Sequence, residues 1–318
     1  MASQITIVIA ACGQPALLKR TLASLAACER PAELVGVIVV ENGKRSGLEE
    51  VVRSFPAEHG FRHLFSEPGN QSLAQNVALE QIDRGLAVFT DDDVQWHPQT
   101  IVAYSDGARG VERGEFYGGP VEPEFEGSPP PEWMRPYFPK TVQGYRHSFN
   151  EKTRIDAPEF IGPNFAAFVD DLQAIGRIDT RLGPGCAAGC PGAESDAQER
   201  LLACGIGGYY LPGALVRHFV RQHCTEPAWV FDRAFRTGVA WGIRKATQPG
   251  FGPLAYAKTA YDLLHERLRG ARRQLRGGEQ GRFIAQYLAA RARGRWHGLQ
   301  LGRRRAAWIG GEQARRAG

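Results

Sequence analysis

Asp91, Asp92 and Asp93 stand side by side directly after the apolar run 86–90. Three adjacent carboxylates repel one another unless a cation or hydrogen-bond donors compensate. A divalent ion is the simplest compensation: hard oxygen ligands with open positions suit Mg²⁺ or Mn²⁺, which would bridge to the phosphates of a nucleotide ligand. The competing reading is an acidic helix start, with Trp96, His97 and Pro98 opening a helix. The position at a strand end favours the metal. Cys186 and Cys190 share a Gly/Pro-rich loop, and a zinc site there needs two more ligands, with Cys204 and His218 nearest. Reduced, unliganded thiols are the expectation for all six cysteines, since no secretory signal accompanies them.

The elements that position the aspartates read as alternating strands and helices. Ile5–Ala11 is a continuous β-rich run, followed by a turn and a helical pattern in Leu17, Leu18, Leu22 and Leu25. Residues 35–40 form a second strand that stops at Glu41-Asn42-Gly43. Ser72 is placed to cap a helix carrying Leu73, Val77, Ala78 and Ile82, which Gly85 breaks. Such βαβ units imply a mostly parallel sheet with right-handed crossovers, whose ligands bind at the carboxyl ends of the strands. Those ends carry Ala10-Ala11, Glu41-Asn42 and the aspartates. Further on, 165–169 and 209–211 read as strands and 194–204 as a helix. The proline-rich stretch 122–139, with Trp133, Tyr137 and Phe138, reads as an ordered aromatic loop without regular structure, either a lid or a plug of the core.

With 318 residues, 43% of them hydrophobic and 23% charged, the composition is that of an ordinary globular chain and excludes a disordered or fibrous one. No basic residue precedes the N-terminal apolar run, and neither it nor 34–40 approaches the ~20 residues of a membrane span. A cytoplasmic protein, at most peripheral on the inner face of the membrane, is expected. Charge is lopsided. Residues 266–318 hold fourteen Arg, no Lys and three Glu, a net +11, which leaves −6 for the rest within the total of +5.

The segments ITIVIAACGQPALLKRTLASL, VIVVENG, GNQSLAQNVAL, VFTDDDV, FIGPNFAAF, GRIDTRLGPG, GAESDAQERLLACG and YYLPGALVRH occur in an order and spacing that resembles family 2 glycosyltransferases over residues 5 to about 220. The resemblance implies a GT-A (Rossmann-like) α/β fold, with a mixed, mostly parallel sheet flanked by helices, over a catalytic domain 1–225. A helical, Arg-rich C-terminal region, 226–318, follows it. It implies an inverting, metal-dependent transfer of sugar from a nucleoside-diphosphate donor to a hydroxyl. Asn42 and the Ala10-Ala11 backbone would hold the base, Asn76 would help close the donor pocket, and Asp91 and Asp92 would meet the donor, Asp91 at its ribose. Asp93, completed by His218, would hold Mn or Mg. Glu194 falls on the family's catalytic base and Asp196 on a common second acid. Trp133 and Asn164 would face the acceptor, a sugar or a lipid-linked sugar. Family members commonly carry Thr or Ser with Tyr and Asn where this chain has Ala10 to Gly13, and Asp where it has Asn42. Asn both donates and accepts, which keeps a uracil or thymine imide, hence a UDP- or dTDP-sugar, in favour.

Beside these roles stand plainer ones. Glu194 and Asp196 also suit a helix start, and His218 also suits hydrogen-bonded packing. In the tail, Phe283, Ile284, Tyr287 and Leu288, then Trp296, Leu299, Leu301, Trp308 and Ile309, lie among arginines. This is the pattern of an interfacial helix on an anionic membrane, or of helices packed with solvated arginines. Two other functions compete: a catalytically weak nucleotide-sugar-binding protein, and a nucleic-acid binder using the arginine tail. The acidic body argues against nucleic acid.

Overall fold

The computed structural model describes residues 3–317 apart from Ala188 and Pro249, with side chains described except at 273–276 and 304–317. The chain forms two compact units: Met1–Ser128, Phe138–Cys186 and Ala193–Arg221 make the first; Pro129–Tyr137, Ala187–Gly192 and Gln222–Gly318 make the second.

The strands of the first unit are β1 (Ile5–Ala11), β2 (Leu34–Asn42), β3 (Phe61–Ser66), β4 (Leu86–Asp91), β5 (Val94–Trp96), β6 (Glu115–Gly118), β7 (Val121–Phe125), β8 (Thr153–Ile155), β9 (Phe165–Phe168), β10 (Gly207–Tyr210) and β11 (Val216–Val220). Its helices are α1 (Pro15–Ala26), α2 (Leu48–Arg53), α3 (Gln71–Leu79), α4 (Thr100–Gly107), α5 (Lys140–Gln143), α6 (Val169–Ala174) and α7 (Ala193–Ala203). An eight-stranded sheet runs β3-β2-β1-β4-β9-β6-β10-β8, and a three-stranded one β5-β11-β7. Every residue of β1 is buried, as a central strand covered on both faces requires. β1 pairs in parallel with β2 and β4, with Ala10 opposite both Val40 and Asp91, so the carboxyl ends of the three strands lie abreast. β9 runs antiparallel between β4 and β6, which makes the sheet mixed but mostly parallel.

Helix α1 buries Leu18, Thr21, Leu22 and Leu25 on one face, the helical spacing seen in the sequence. Three local expectations are corrected. The cap of α3 is Asn70, whose side chain accepts from the Leu73 amide, while Ser72 donates to the Leu182 carbonyl. No helix opens at Trp96: Trp96 ends β5, His97 and Pro98 follow it outside any element, and α4 begins at Thr100. The proline-rich stretch is not without regular structure. Its start is β7, because Pro123 sits where the strand tolerates a missing donor, and Glu132–Tyr137 forms a 3₁₀ turn.

The second unit holds α8 (Pro227–Thr247), α9 (Pro253–Arg276) and α10 (Gly278–Ala317). α8 and α10 meet backbone to backbone through small residues. A Cβ on Gly294 would stand 2.0 Å from the Phe235 carbonyl oxygen, and one on Gly298 2.2 Å from that of Val239. Reciprocally, a Cβ on Gly242 would stand 2.3 Å from the Arg295 carbonyl. Part of the tail's apolar set turns inward: Phe283, Ile284 and Leu299 are buried, and Phe283 packs against Phe231 and Trp133, while Trp296 is exposed. Phe283, Ile284 and Leu299 are therefore not free to enter a lipid surface. Trp308 and Ile309 lie outside the described side chains. No helix among the described residues is long and apolar enough to cross a membrane.

Candidate active site

After β4 the chain turns through Asp92 and Asp93 into β5, and α1 clamps that turn. Thr21 Oγ1 donates to the Asp92 carbonyl at 2.8 Å and accepts from the Val94 amide at 3.1 Å. The Cys12 amide donates to Asp92 Oδ2 at 3.0 Å, tying the turn to the end of β1. Gln71 Nε2 donates to Asp91 Oδ1 at 2.8 Å. From the other side β11 pairs with β5, His218 opposite Val94, and the Phe219 amide donates to the Asp93 carbonyl at 2.9 Å. That pairing carries His218 Nε2 to 3.5 Å from Asp93 Oδ1 and the Arg221 guanidinium to 3.8 Å from Asp93 Oδ2.

The electrostatics are those of an acid cluster short of positive charge. Burial, then Asp93, Asp92 and Glu194, raise the Asp91 carboxyl well above its ordinary value. Asp92 is pushed up to about 7, first by burial and then by Asp93. Burial lowers His218, with Asp93 opposing, so the imidazole is neutral; its Nδ1–H donates to the Thr141 carbonyl at 3.0 Å, which leaves the Nε2 lone pair aimed at Asp93. One ligand atom each of Asp91, Asp93 and His218 lies within 4.8 Å of the others. Asp93 Oδ1 is buried with no hydrogen-bond partner. Two carboxylates, a neutral imidazole and an orphaned buried oxygen fit a divalent ion of the Mn²⁺ or Mg²⁺ kind. Asp91, Asp93 and His218 are the one such group among the described residues, so His218 stands with the aspartates and not with Cys186 and Cys190.

Beside the cluster opens a cavity of about 350 Å³. Ala10 and Asn42 line it at the ends of β1 and β2, the three aspartates form its floor, and Arg221 stands at its edge. Asn42 Nδ2 donates to the buried Ala11 carbonyl at 2.9 Å. Pro184 and Gly185 close another wall, and only glycine fits at 185: φ is +82°, and a Cβ there would lie 2.2 Å from the Gly69 carbonyl oxygen.

Other expected site residues fall elsewhere. Asn76 is not in the cavity wall; its amide donates to the Ile178 carbonyl at 2.8 Å and accepts from the Ile178 amide at 3.1 Å, anchoring the segment that leads to Pro184. Asn164, expected at the acceptor, is corrected: it is 1% exposed and bonded to Tyr104 Oη, Pro120 O and Ala214 O. A core amide so committed has nothing left to offer a ligand. Asp196 is held by Arg200 at 2.8 Å, and Arg200 also donates to the carbonyls of Ile175 and Arg177. Trp133 stands in the second unit, edge-on to Phe283 at 5.2 Å between ring centroids. Glu194, in the first turn of α7, does face the cluster: a methyl built on Gly162 would sit 3.7 Å from Glu194 Oε1 and 3.9 Å from Asp91 Oδ2. Sequence reasoning missed Gln71 and Arg221; Arg221 owes its place beside Asp93 to the pairing of β11 with β5.

Residues 2–124, just over a third of the chain, match the family described as Glycosyltransferase like family 2. No curated protein matches. Among solved structures, the chain is similar to the mannosyltransferase PcManGT from Pyrobaculum calidifontis in complex with GDP-Man and Mn²⁺, at 18% identity and TM-score 0.58, covering 93% of this chain and 88% of that one. It is similar to GalNAc-T7 with UDP, GalNAc and Mn²⁺ at 13% identity and TM-score 0.55, covering 81% of this chain but 53% of that one, about half its length. It is similar also to TarS 1–349 of S. aureus in complex with UDP-GlcNAc, at 13% identity and TM-score 0.51, covering 74% of this chain and 66% of that one. At such identities the likeness shows the fold, which is GT-A. The family match is confined to the first third and more of the chain, residues 2–124, and lies within a GT-A fold.

Proposed function

We propose that the chain is an inverting, metal-dependent glycosyltransferase moving a sugar from a nucleoside-diphosphate sugar to a hydroxyl of a sugar or lipid-linked acceptor, in glycoconjugate or polysaccharide synthesis in the cytoplasm. The observation that carries this reading is the Asp91, Asp93 and His218 cluster, with Asp93 Oδ1 buried and unpaired, whose two aspartates line the 350 Å³ cavity. A cation held there supplies charge neutralisation for a departing diphosphate. Arg221, at the cavity edge, adds a second positive charge on the same side.

Asn42 has its NH₂ turned to Ala11, which leaves Oδ1 to accept from an imide N–H. Uracil and thymine offer that donor and cytosine does not, which supports a UDP- or dTDP-sugar. Glu194 would take the proton of the acceptor hydroxyl as that oxygen bonds to the anomeric carbon. The bond from that carbon to the diphosphate oxygen breaks on the opposite face, and its electron pair leaves with the diphosphate. In-line displacement inverts the anomeric centre.

The test is calorimetric titration with UDP, dTDP, GDP and CDP, each with Mn²⁺ and with chelator. Metal-dependent binding of one of the imide-bearing nucleotides is the expected result; absence of binding under every condition would overturn the donor-site reading. The configuration of the transferred sugar, read by NMR of the product, decides inversion.

A further inference from the structure

The outer face of α9 carries large apolar side chains that nothing among the described residues covers. Leu254, Tyr261, Leu264 and Leu268 are 88%, 61%, 56% and 51% exposed. They recur at steps of seven, three and four residues, which puts them on one side of a helix. The opposite side, with Thr259, Leu263, Glu266 and Gly270, is buried. The helix therefore has an inner face that packs and a second apolar face that does not. A stripe of this size on an otherwise polar surface marks a contact site.

What lies beside the stripe identifies the partner. Lys258, Arg269 and Arg272 border it in a row, all exposed, and none is in an ion pair among the described residues. Lys258 and Arg269 also line a cavity of about 640 Å³ within the helical unit, together with Lys245, Arg291 and Arg295. Glu266 neutralises Arg291 and Arg295 at 2.9 Å or closer, and Asp262 is the other carboxylate of the wall, so cations outnumber anions. An apolar stripe edged by a row of unpaired cations has the layering of a bilayer interface, with acyl chains below and phosphates above.

We propose that α9 docks on an anionic phospholipid surface, with Leu254, Tyr261, Leu264 and Leu268 at the acyl boundary and Lys258, Arg269 and Arg272 on the phosphates. The proposal is independent of the donor chemistry and moves the membrane contact from the tail helix, where Phe283, Ile284 and Leu299 are buried, to the helix before it.

The experiment is co-sedimentation of the full chain with phosphatidylglycerol–phosphatidylcholine vesicles and with phosphatidylcholine vesicles alone. Binding to the anionic vesicles is expected, with about a tenfold or greater loss for Leu264→Glu/Leu268→Glu and a similar loss for Lys258→Glu/Arg269→Glu. Both pairs are exposed, and unchanged melting by circular dichroism checks that they fold. Equal binding to both vesicle types, or wild-type binding by Leu264→Glu/Leu268→Glu, overturns the proposal. So does binding of soluble pyrophosphate without vesicles, which makes the cavity a free-anion site. A stable dimer that Leu264→Glu/Leu268→Glu splits overturns it as well, because a second copy then covers the stripe. None of these readouts uses a nucleotide, so failure here and failure of the donor-site reading are told apart.

Discussion

His218 Nε2 stands 3.5 Å from Asp93 Oδ1 because β11 lies antiparallel to β5, while Nδ1 is held by the Thr141 carbonyl. The imidazole is thus oriented before any ion arrives.

Asp93→Ala is expected to abolish Mn²⁺-dependent nucleotide binding, and His218→Ala to weaken Mn²⁺ binding by about tenfold or more. Calorimetric titration with Mn²⁺ in the presence of UDP measures both. Undiminished Mn²⁺ affinity in His218→Ala would remove the imidazole from the site.

Glu194→Gln should leave nucleotide affinity unchanged and lower kcat by about 10²–10⁴-fold, since it removes the proton acceptor and keeps the shape. Asp196→Asn should instead cost about 1 kcal/mol of stability through the Arg200 clamp and spare kcat. Steady-state kinetics and thermal melts on the two variants separate the roles; the reverse pattern would exchange them.

The sign of the pH effect follows from the carboxyls. Asp92, raised to about 7, and Asp91, raised well above its ordinary value, hold protons in the folded chain that the unfolded chain has released. Their contribution to stability is complete below the ordinary carboxylate value and is lost as pH rises through about 7. His218, lowered, contributes in the other direction, and its stability is lost as pH falls below the ordinary 6.5. The gain in Tm on adding Mn²⁺ should therefore widen from about pH 5 to about pH 8, where the metal replaces the missing protons. A gain that is flat across that range in differential scanning fluorimetry would count against the acid cluster as the metal site.

Asn164→Ala should lower stability by about 2–4 kcal/mol, because Tyr104 Oη and the carbonyls of Pro120 and Ala214 lose their partner in the core. Nucleotide affinity of the folded fraction should not change. Denaturant unfolding gives the first quantity and calorimetry the second.

β1, β2, β4 and the acid turn were legible because strands buried on both faces read as unbroken apolar runs that stop at polar tips, whereas β3, FRHLFS at the sheet edge, has no such run. Asn164 was not, since a polar residue inside a motif looks the same whether it faces a ligand or saturates carbonyls in the core. Ser72 was read as the cap of α3, but the extended backbone of Asn70 and its bond from the Leu73 amide put the cap two residues earlier. Arg221 acquires its meaning from a strand pairing across more than a hundred residues, which no local pattern contains. The tail's periodicity was real, but period alone does not say whether an apolar face meets lipid or another helix.

The pairing of β5 with β11 also sets when the metal site comes into being. Asp91 and Asp93 leave the ribosome long before His218 and Arg221, and a nascent chain halted before Val216 has the acids without their imidazole and guanidinium. Until the last strand docks, Asp91 and Asp92 have Gln71 and the Cys12 amide, but Asp93 lacks His218 and Arg221; afterwards a cation held there would link two distant stretches of chain. Metal affinity would therefore be a late checkpoint of assembly, acquired only as the small sheet closes.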